Sequence, residues 1–163
     1  MNNKLFLVCP FSCMEIFIRK HFGDDVFFIT AIAAAFQSEE QEYLEEVKAL
    51  IERESITEII IVNDTSCRFI NSVLKNKNGF AYPAEQILQK MFNENYSVLM
   101  QKKLLAEQQE MLAVFNLKHQ ANEMLKSILF QKNHSNEIKL TGLITMKSSN
   151  RIKEINFNTG LTH

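Results

Sequence analysis

Glu58-Ile59-Ile60-Ile61-Val62-Asn63-Asp64-Thr65-Ser66-Cys67-Arg68 is the stretch on which the fold turns. Four successive apolar residues, Ile59 to Val62, run into a polar turn. An unbroken apolar run bounded by turn residues is the mark of a strand buried on both faces. The turn carries a carboxylate, Asp64, and a thiol, Cys67, three residues apart. The same design occurs near the N-terminus, where Leu5-Phe6-Leu7-Val8 leads into Cys9-Pro10-Phe11-Ser12-Cys13.

Between and around these strands the pattern alternates. Lys4 to Val8 reads as a strand, Met14 to Phe22 as a short helix stopped by Gly23-Asp24, and Val26 to Ile29 as a second strand. Ala31 to Phe36 is a connection of small residues. Ser38-Glu39-Glu40-Gln41 reads as a capping box. The helix it opens carries Tyr43, Leu44, Val47, Leu50 and Ile51 on one face. Strand three follows at Ile59 to Val62. A β-α-β-α-β alternation predicts a parallel sheet with right-handed crossovers. If strand three lies on the far side of strand one, the order is 2-1-3. Ligands in such sheets bind at the switch point beyond the carboxyl ends of the strands, where both cysteine turns converge.

After Cys67 the pattern is helical. Phe69, Ile70, Val73 and Leu74 form one short stripe, broken at Asn76-Lys77-Asn78-Gly79. Pro83 suits a first helical residue, with Ile87, Leu88, Met91 and Phe92 as its apolar face. A long helical stretch is predicted from Ser97 to about Phe130, interrupted before it at Asn93 to Asn95. Its Met and Phe residues read as core, in line with an apolar helical stripe. Glu137 to Met146 and Arg151 to Phe157 read as strands of a hairpin joined at Lys147 to Asn150.

The bulk properties narrow the function classes. At 163 residues, 46% hydrophobic and 23% charged, the chain suits one domain, residues 1–163. A net charge of −1 advertises no nucleic-acid surface. No stretch approaches the ~20 apolar residues of a membrane span. Three cysteines without a secretory signal point to a reducing, cytoplasmic setting.

In order and spacing, these segments resemble the β-class carbonic anhydrases along nearly the whole chain. That family has a strand ending Cys-x-Asp-Ser-Arg, a Gly-Asp before the second strand, and a third strand ending Gly-His-Ser-x-Cys-Gly. Here the first is Cys9-Pro-Phe-Ser-Cys13, the second Gly23-Asp24, and the third Asn63-Asp-Thr-Ser-Cys67-Arg68. Asn116 to Leu125 resembles the family's Asn-Val-x-x-Gln-Val-x-x-Leu helix. Thr141 to Met146 with Arg151 to Lys153 resembles its closing hairpin. The resemblance implies a three-layer α/β domain, with a mainly parallel sheet in the order 2-1-3-4 and an antiparallel edge strand. It also implies a homodimer, although the family's partner-embracing N-terminal arm has no counterpart before strand one.

The departures fall on the chemistry. In the family two cysteines and a histidine bind zinc, and zinc lowers the pKa of its water to about 7. Cys9 and Cys67 hold the cysteine positions, but Asp64 holds the histidine position. An aspartate reaches roughly 2 Å less far than a histidine ring nitrogen, while metal distances tolerate about ±0.2 Å. The Asp–Arg dyad that orients water and substrate is replaced by Phe11 and Cys13, and an aromatic ring accepts no proton. The resemblance therefore implies a carbonic-anhydrase-like domain that has lost carbon dioxide hydration and binds a small molecule, a small anion or a protein. The alternative is a zinc-dependent lyase with Cys9, Asp64 and Cys67 as ligands. Each residue also has a plainer reading: Cys9 and Cys67 as inert buried thiols, Asp64 as a turn residue bonding backbone N–H groups. Phe11, Cys13 and Arg68 are candidate ligand-binding residues, Arg68 for an anion near a helix start. The four histidines, His21, His119, His134 and His163, show no ligand spacing. A third reading makes the helical region from Ser97 a packing surface for a partner or second copy.

Overall fold

A computed structural model describes residues 2–77, 82–131 and 138–157. Its elements in chain order are β1 (Asn3–Val8), α1 (Glu15–Phe22), β2 (Val26–Thr30), α2 (Gln41–Arg53), β3 (Ile56–Asp64), α3 (Arg68–Leu74), α4 (Pro83–Glu94), α5 (Tyr96–Met100), α6 (Leu105–Lys126), β4 (Lys139–Met146) and β5 (Arg151–Asn156). One sheet takes the order β2-β1-β3-β4-β5. The first four strands pair in parallel, and β5 is antiparallel to β4 at the edge.

Right-handed crossovers explain the layering. The chain steps from β1 to β2 in one direction, then back across β1 to β3. A reversal of direction with the same hand puts successive helices on opposite faces. Accordingly Phe17 and Ile18 of α1 pack with Phe6, Val8, Ile60, Val62 and Leu143. Leu44, Val47 and Ile51 of α2 pack with Leu5, Leu7, Ile59 and Ile61 on the other face. Helices α3, α4 and α6 complete that second layer. Alternation along β3 thus sends Ile59, Ile61 and Asn63 to the α6 side, and Ile60, Val62 and Asp64 to the α1 side.

Three expectations are corrected in detail. Strand β3 starts at Ile56, earlier than the apolar run, because Glu58 is neutralised: it pairs with Lys4 of β1 and with Lys139 of β4 at 3.1 Å, and accepts from Thr141 Oγ1 at 2.7 Å. The Ser38–Gln41 capping box does not form. Helix α2 starts at Gln41 with no side-chain cap, because the preceding segment is drawn onto α6, where Phe36 N–H donates to Gln120 Oε1 at 2.8 Å and Ser38 Oγ to Glu123 Oε2 at 3.5 Å. The long helix from Ser97 is divided. Leu104 is extended, its N–H donates to the Glu107 carboxylate, and α6 starts afresh at Leu105. Gly79 of the expected break and Glu137 of the expected strand lie outside the described residues.

Gly142 of β4 lies against α6. A Cβ there would stand 2.5 Å from Leu117 Cδ2 and 2.7 Å from Phe157 Cε2, and Leu117 is fully buried. Gly142→Val should destabilise the domain by about 1–3 kcal/mol, the usual cost of overpacking, measured by urea unfolding. Glu58 supplies a pH test. Burial raises its pKa, but the hydrogen bonds from Lys4, Thr141 and Lys139 outweigh burial and leave it lowered. Its contribution is therefore complete above the unfolded value of about 4.3 and lost as pH falls through the lower folded value. Glu58→Gln should lower stability at pH 7 and flatten the acid limb of the stability profile.

Candidate functional site

The strand ends place the site. Val8 pairs with Thr30, and Asp64 with Thr145, so four turns leave the sheet side by side. Cys9 follows directly from β1, and Cys67 caps α3 after the β3 turn. Both are buried, at 4% and 5% exposure, within one core cluster. The structure thus brings together the two thiols that the sequence picks out.

The backbone of Phe11, Ala33 and Ser12 favours a Cys9 thiolate, and that of Ile70 and Phe69 a Cys67 thiolate. The contact with Cys67 lowers the Cys9 pKa to about 6 against the opposing effect of burial, assisted by these backbone donors. The same contact, reinforced by burial, raises that of Cys67. One proton shared between two sulfurs is the physical cause of both shifts.

Ala33 sits in an unusual stretch of backbone. Ala33 and Ala34 take φ of 54° and 53°, the left-handed region that costs a residue with a Cβ roughly 1–2 kcal/mol. The segment persists because its surroundings fix it. Ala31 N–H donates to Val8 O at 3.0 Å, and Ala33 O accepts from Asn116 Nδ2 at 2.9 Å. Asn116 also donates to Asn63 Oδ1 at 2.8 Å, and Gln120 Nε2 donates to Asn116 Oδ1 at 3.3 Å. Asn63, Asn116 and Gln120 are all buried. Sequence reasoning assigned them no role, although two amides four residues apart in an apolar helical stripe were the available signal.

Asp64 does not join the thiols. Its side chain projects to the α1 side of the sheet and is 2% exposed. Oδ1 accepts from Ser66 N–H at 2.9 Å and from Ser66 Oγ. Oδ2 accepts from Thr145 Oγ1 at 2.7 Å and Lys147 N–H at 3.2 Å. The carboxylate thus ties the β3 turn to the end of β4. Among the described residues, no three His, Cys, Asp or Glu side chains are grouped to hold a metal ion.

The remaining candidates sit outside the thiols. Phe11 is 51% exposed, with Arg68 Cζ 5.1 Å from its ring centroid and 5.7 Å from that of Phe69. Such cation–π contacts contribute about 0.5–1 kcal/mol at an exposed site. They clamp the two cysteine turns together. Cys13 is exposed with φ of 50°. His21 Nδ1 is 2.8 Å from Phe17 O, and His134 and His163 lie outside the described residues. His119 lines a cavity of about 540 Å³ with Ile32, Phe36, Glu40, Tyr82 and Ile87.

No protein-family model matches the sequence, and no curated protein does. Solved structures match over most of their length. The β-carbonic anhydrase CafA of the fungal pathogen Aspergillus fumigatus superposes with a TM-score of 0.78 at 19% identity, over 94% of this chain and 75% of that one. A structure from a study of two tetrameric β-carbonic anhydrases of the filamentous ascomycete Sordaria macrospora gives 0.78 at 16% identity, over 94% and 80%. The Coccomyxa β-carbonic anhydrase in complex with acetazolamide gives 0.72 at 12% identity, over 94% and 72%. Strand order, edge strand and helical layers agree with these neighbours, and the chain has the β-carbonic anhydrase fold.

Proposed function

We propose that this chain is a carbonic-anhydrase-fold domain that does not hydrate carbon dioxide and acts by binding at the crevice beyond its strand ends. The observation that carries this reading is the engagement of Asp64. A catalytic zinc site takes three protein ligands and keeps one position open. Turning Asp64 toward the thiols would move it across the sheet and strand four donors. A buried donor left unpaired costs about 1–3 kcal/mol. The residues present therefore do not fit a zinc centre of the family type. Phe11 and Cys13, at the positions where the resemblance implies an acid and its arginine, supply no carboxylate to accept a proton.

What supports binding is a cavity between the segment that follows β2 and helices α4 and α6, which none of the cysteine-turn residues lines. Its 540 Å³ falls in the range of small-molecule sites. Glu39, Glu40 and Glu123 stand at its wall with apolar Ile32, Phe36 and Ile87, which favours a neutral or cationic ligand over the anion expected from Arg68. The second reading is a zinc-dependent lyase with Cys9, Asp64 and Cys67 as ligands; the lowered pKa of Cys9 suits a thiolate there, while the raised pKa of Cys67 opposes a second one.

Stopped-flow carbon dioxide hydration on protein expressed with added zinc separates the two. The rate should equal that of buffer, and rapid hydration with one zinc per chain would overturn the proposal. Asp64→Ala should cost about 2–4 kcal/mol in urea unfolding of the metal-free protein, because its donors lose their acceptor. A change below about 0.5 kcal/mol, the usual size at uncommitted sites, would contradict the structural role given to Asp64.

A further inference from the structure

We infer that the cavity between the segment after β2 and helices α4 and α6 takes an organic ammonium ion with an apolar body. The inference rests on the reading that this chain acts by binding. Glu39, Glu40 and Glu123 bring three carboxylates to the lining. Among the described residues no lysine or arginine lines it, and His119 is its one basic side chain. Lys126 pairs with Glu123 at 3.3 Å and offsets one of the three charges. Among the described residues no ion pair engages Glu39 or Glu40. The carboxylates are also spread around the wall: among the described residues no three His, Cys, Asp or Glu side chains are grouped to hold a metal ion. A compact divalent ion, which collects several oxygens in one shell, is therefore a poor match. An ammonium group needs a single carboxylate for a charge-assisted hydrogen bond, and the rest of the ligand can lie elsewhere in the space.

That remaining space is apolar and aromatic. Ile32, Phe36, Ala84, Ile87 and the ring of Tyr82 line it together with the carboxylates. Aromatic faces attract an ammonium group and also bury a hydrocarbon body. The volume of about 540 Å³ is that of a small-molecule site, far more than an ammonium group alone would fill. The walls are fixed before any ligand arrives. Phe36 N–H donates to Gln120 Oε1 at 2.8 Å, which ties the segment after β2 to α6. Tyr82 N–H donates to Glu85 Oε2 at 3.0 Å at the start of α4, and its ring lies edge-on to Phe69 at 6.3 Å. Walls held in this way spare a ligand the cost of ordering them. An anion would meet three carboxylates, and a neutral molecule would gain nothing from them.

The test titrates the full chain calorimetrically with three probes of similar shape: phenethylammonium, phenethyl alcohol and hydrocinnamate. The ammonium should bind about tenfold tighter than the alcohol, the worth of one hydrogen bond to a charged group, and hydrocinnamate should not bind. Added salt should weaken the ammonium alone. Glu39→Gln combined with Glu40→Gln should bring the ammonium to the affinity of the alcohol and leave the alcohol unchanged. Glu94→Gln, outside the lining, should alter neither. Ala84→Phe, which fills the space, should abolish both. Equal affinity for ammonium and alcohol in the unmutated protein would overturn the inference even if the variants fail to fold. So would binding of hydrocinnamate, or an ammonium affinity that survives the double substitution. Each of these results leaves the reading of a binding domain standing. No binding of any probe by protein that sediments as a dimer would overturn the inference and give this face to a second copy. Rapid carbon dioxide hydration with bound zinc ends the proposed function and is read in a separate assay.

Discussion

The parallel pairing of β1 with β3, which sets Leu7 opposite Ile61, is the constraint on which the upper edge of the molecule depends. Strands that share a register end at the same height, so their turns must emerge together. The pairing requires that the chain pass β1 on its way from β2 to β3. That passage places α1 and α2 on opposite faces and opens the switch point between the two central strands. The contact between Cys9 and Cys67 is a direct consequence. No local preference of either turn would produce it, because the residues are far apart in the chain and each turn by itself is merely polar.

The alternation of a strand decides the rest of the site. Asn63 and Asp64 are adjacent in sequence but face opposite layers. Asn63 meets Asn116 and, through it, Ala33 and Gln120. Asp64 meets Thr145 and Lys147. One residue therefore joins β3 to the helical layer that holds the thiols, and the next joins β3 to β4 behind the sheet. The carboxylate fastens the fold, each oxygen accepting two hydrogen bonds. A group so placed is costly to remove.

The thiol pair stands in a different balance. Burial disfavours a thiolate, while the partner sulfur and the backbone donors favour one. The donors come from three separate segments, the Cys9 turn, the Ala33–Ala34 turn and the start of α3. Strain at Ala33 and Ala34 is tolerated because the buried amides of α6 hold that turn from behind. Strained backbone of this kind concentrates where a structure positions chemical groups.

Much of the architecture was legible in the residues alone. The doubled design of apolar run and cysteine turn and the amphipathic α2 predict the β-α-β-α-β opening, because burial on two faces and helical period leave local signatures; the strand order 2-1-3 came from the family resemblance, not from those signatures. The cysteine pair was legible once that order was taken, as residues at the ends of two adjacent strands. The start of β3 at Ile56, the start of α2 without a side-chain cap and the division at Leu104 were not. Each depends on a partner distant in sequence or on a backbone angle: Glu58 needs Lys4 and Lys139, and Ser38 is drawn to Glu123. Sequence by itself determined which elements form, because burial pattern and helical period are local. Only the tertiary structure decided which way Asp64 faces and which donors occupy Oδ2, because that follows from strand register and from the Thr145 hydroxyl and Lys147 backbone N–H, more than 80 positions away.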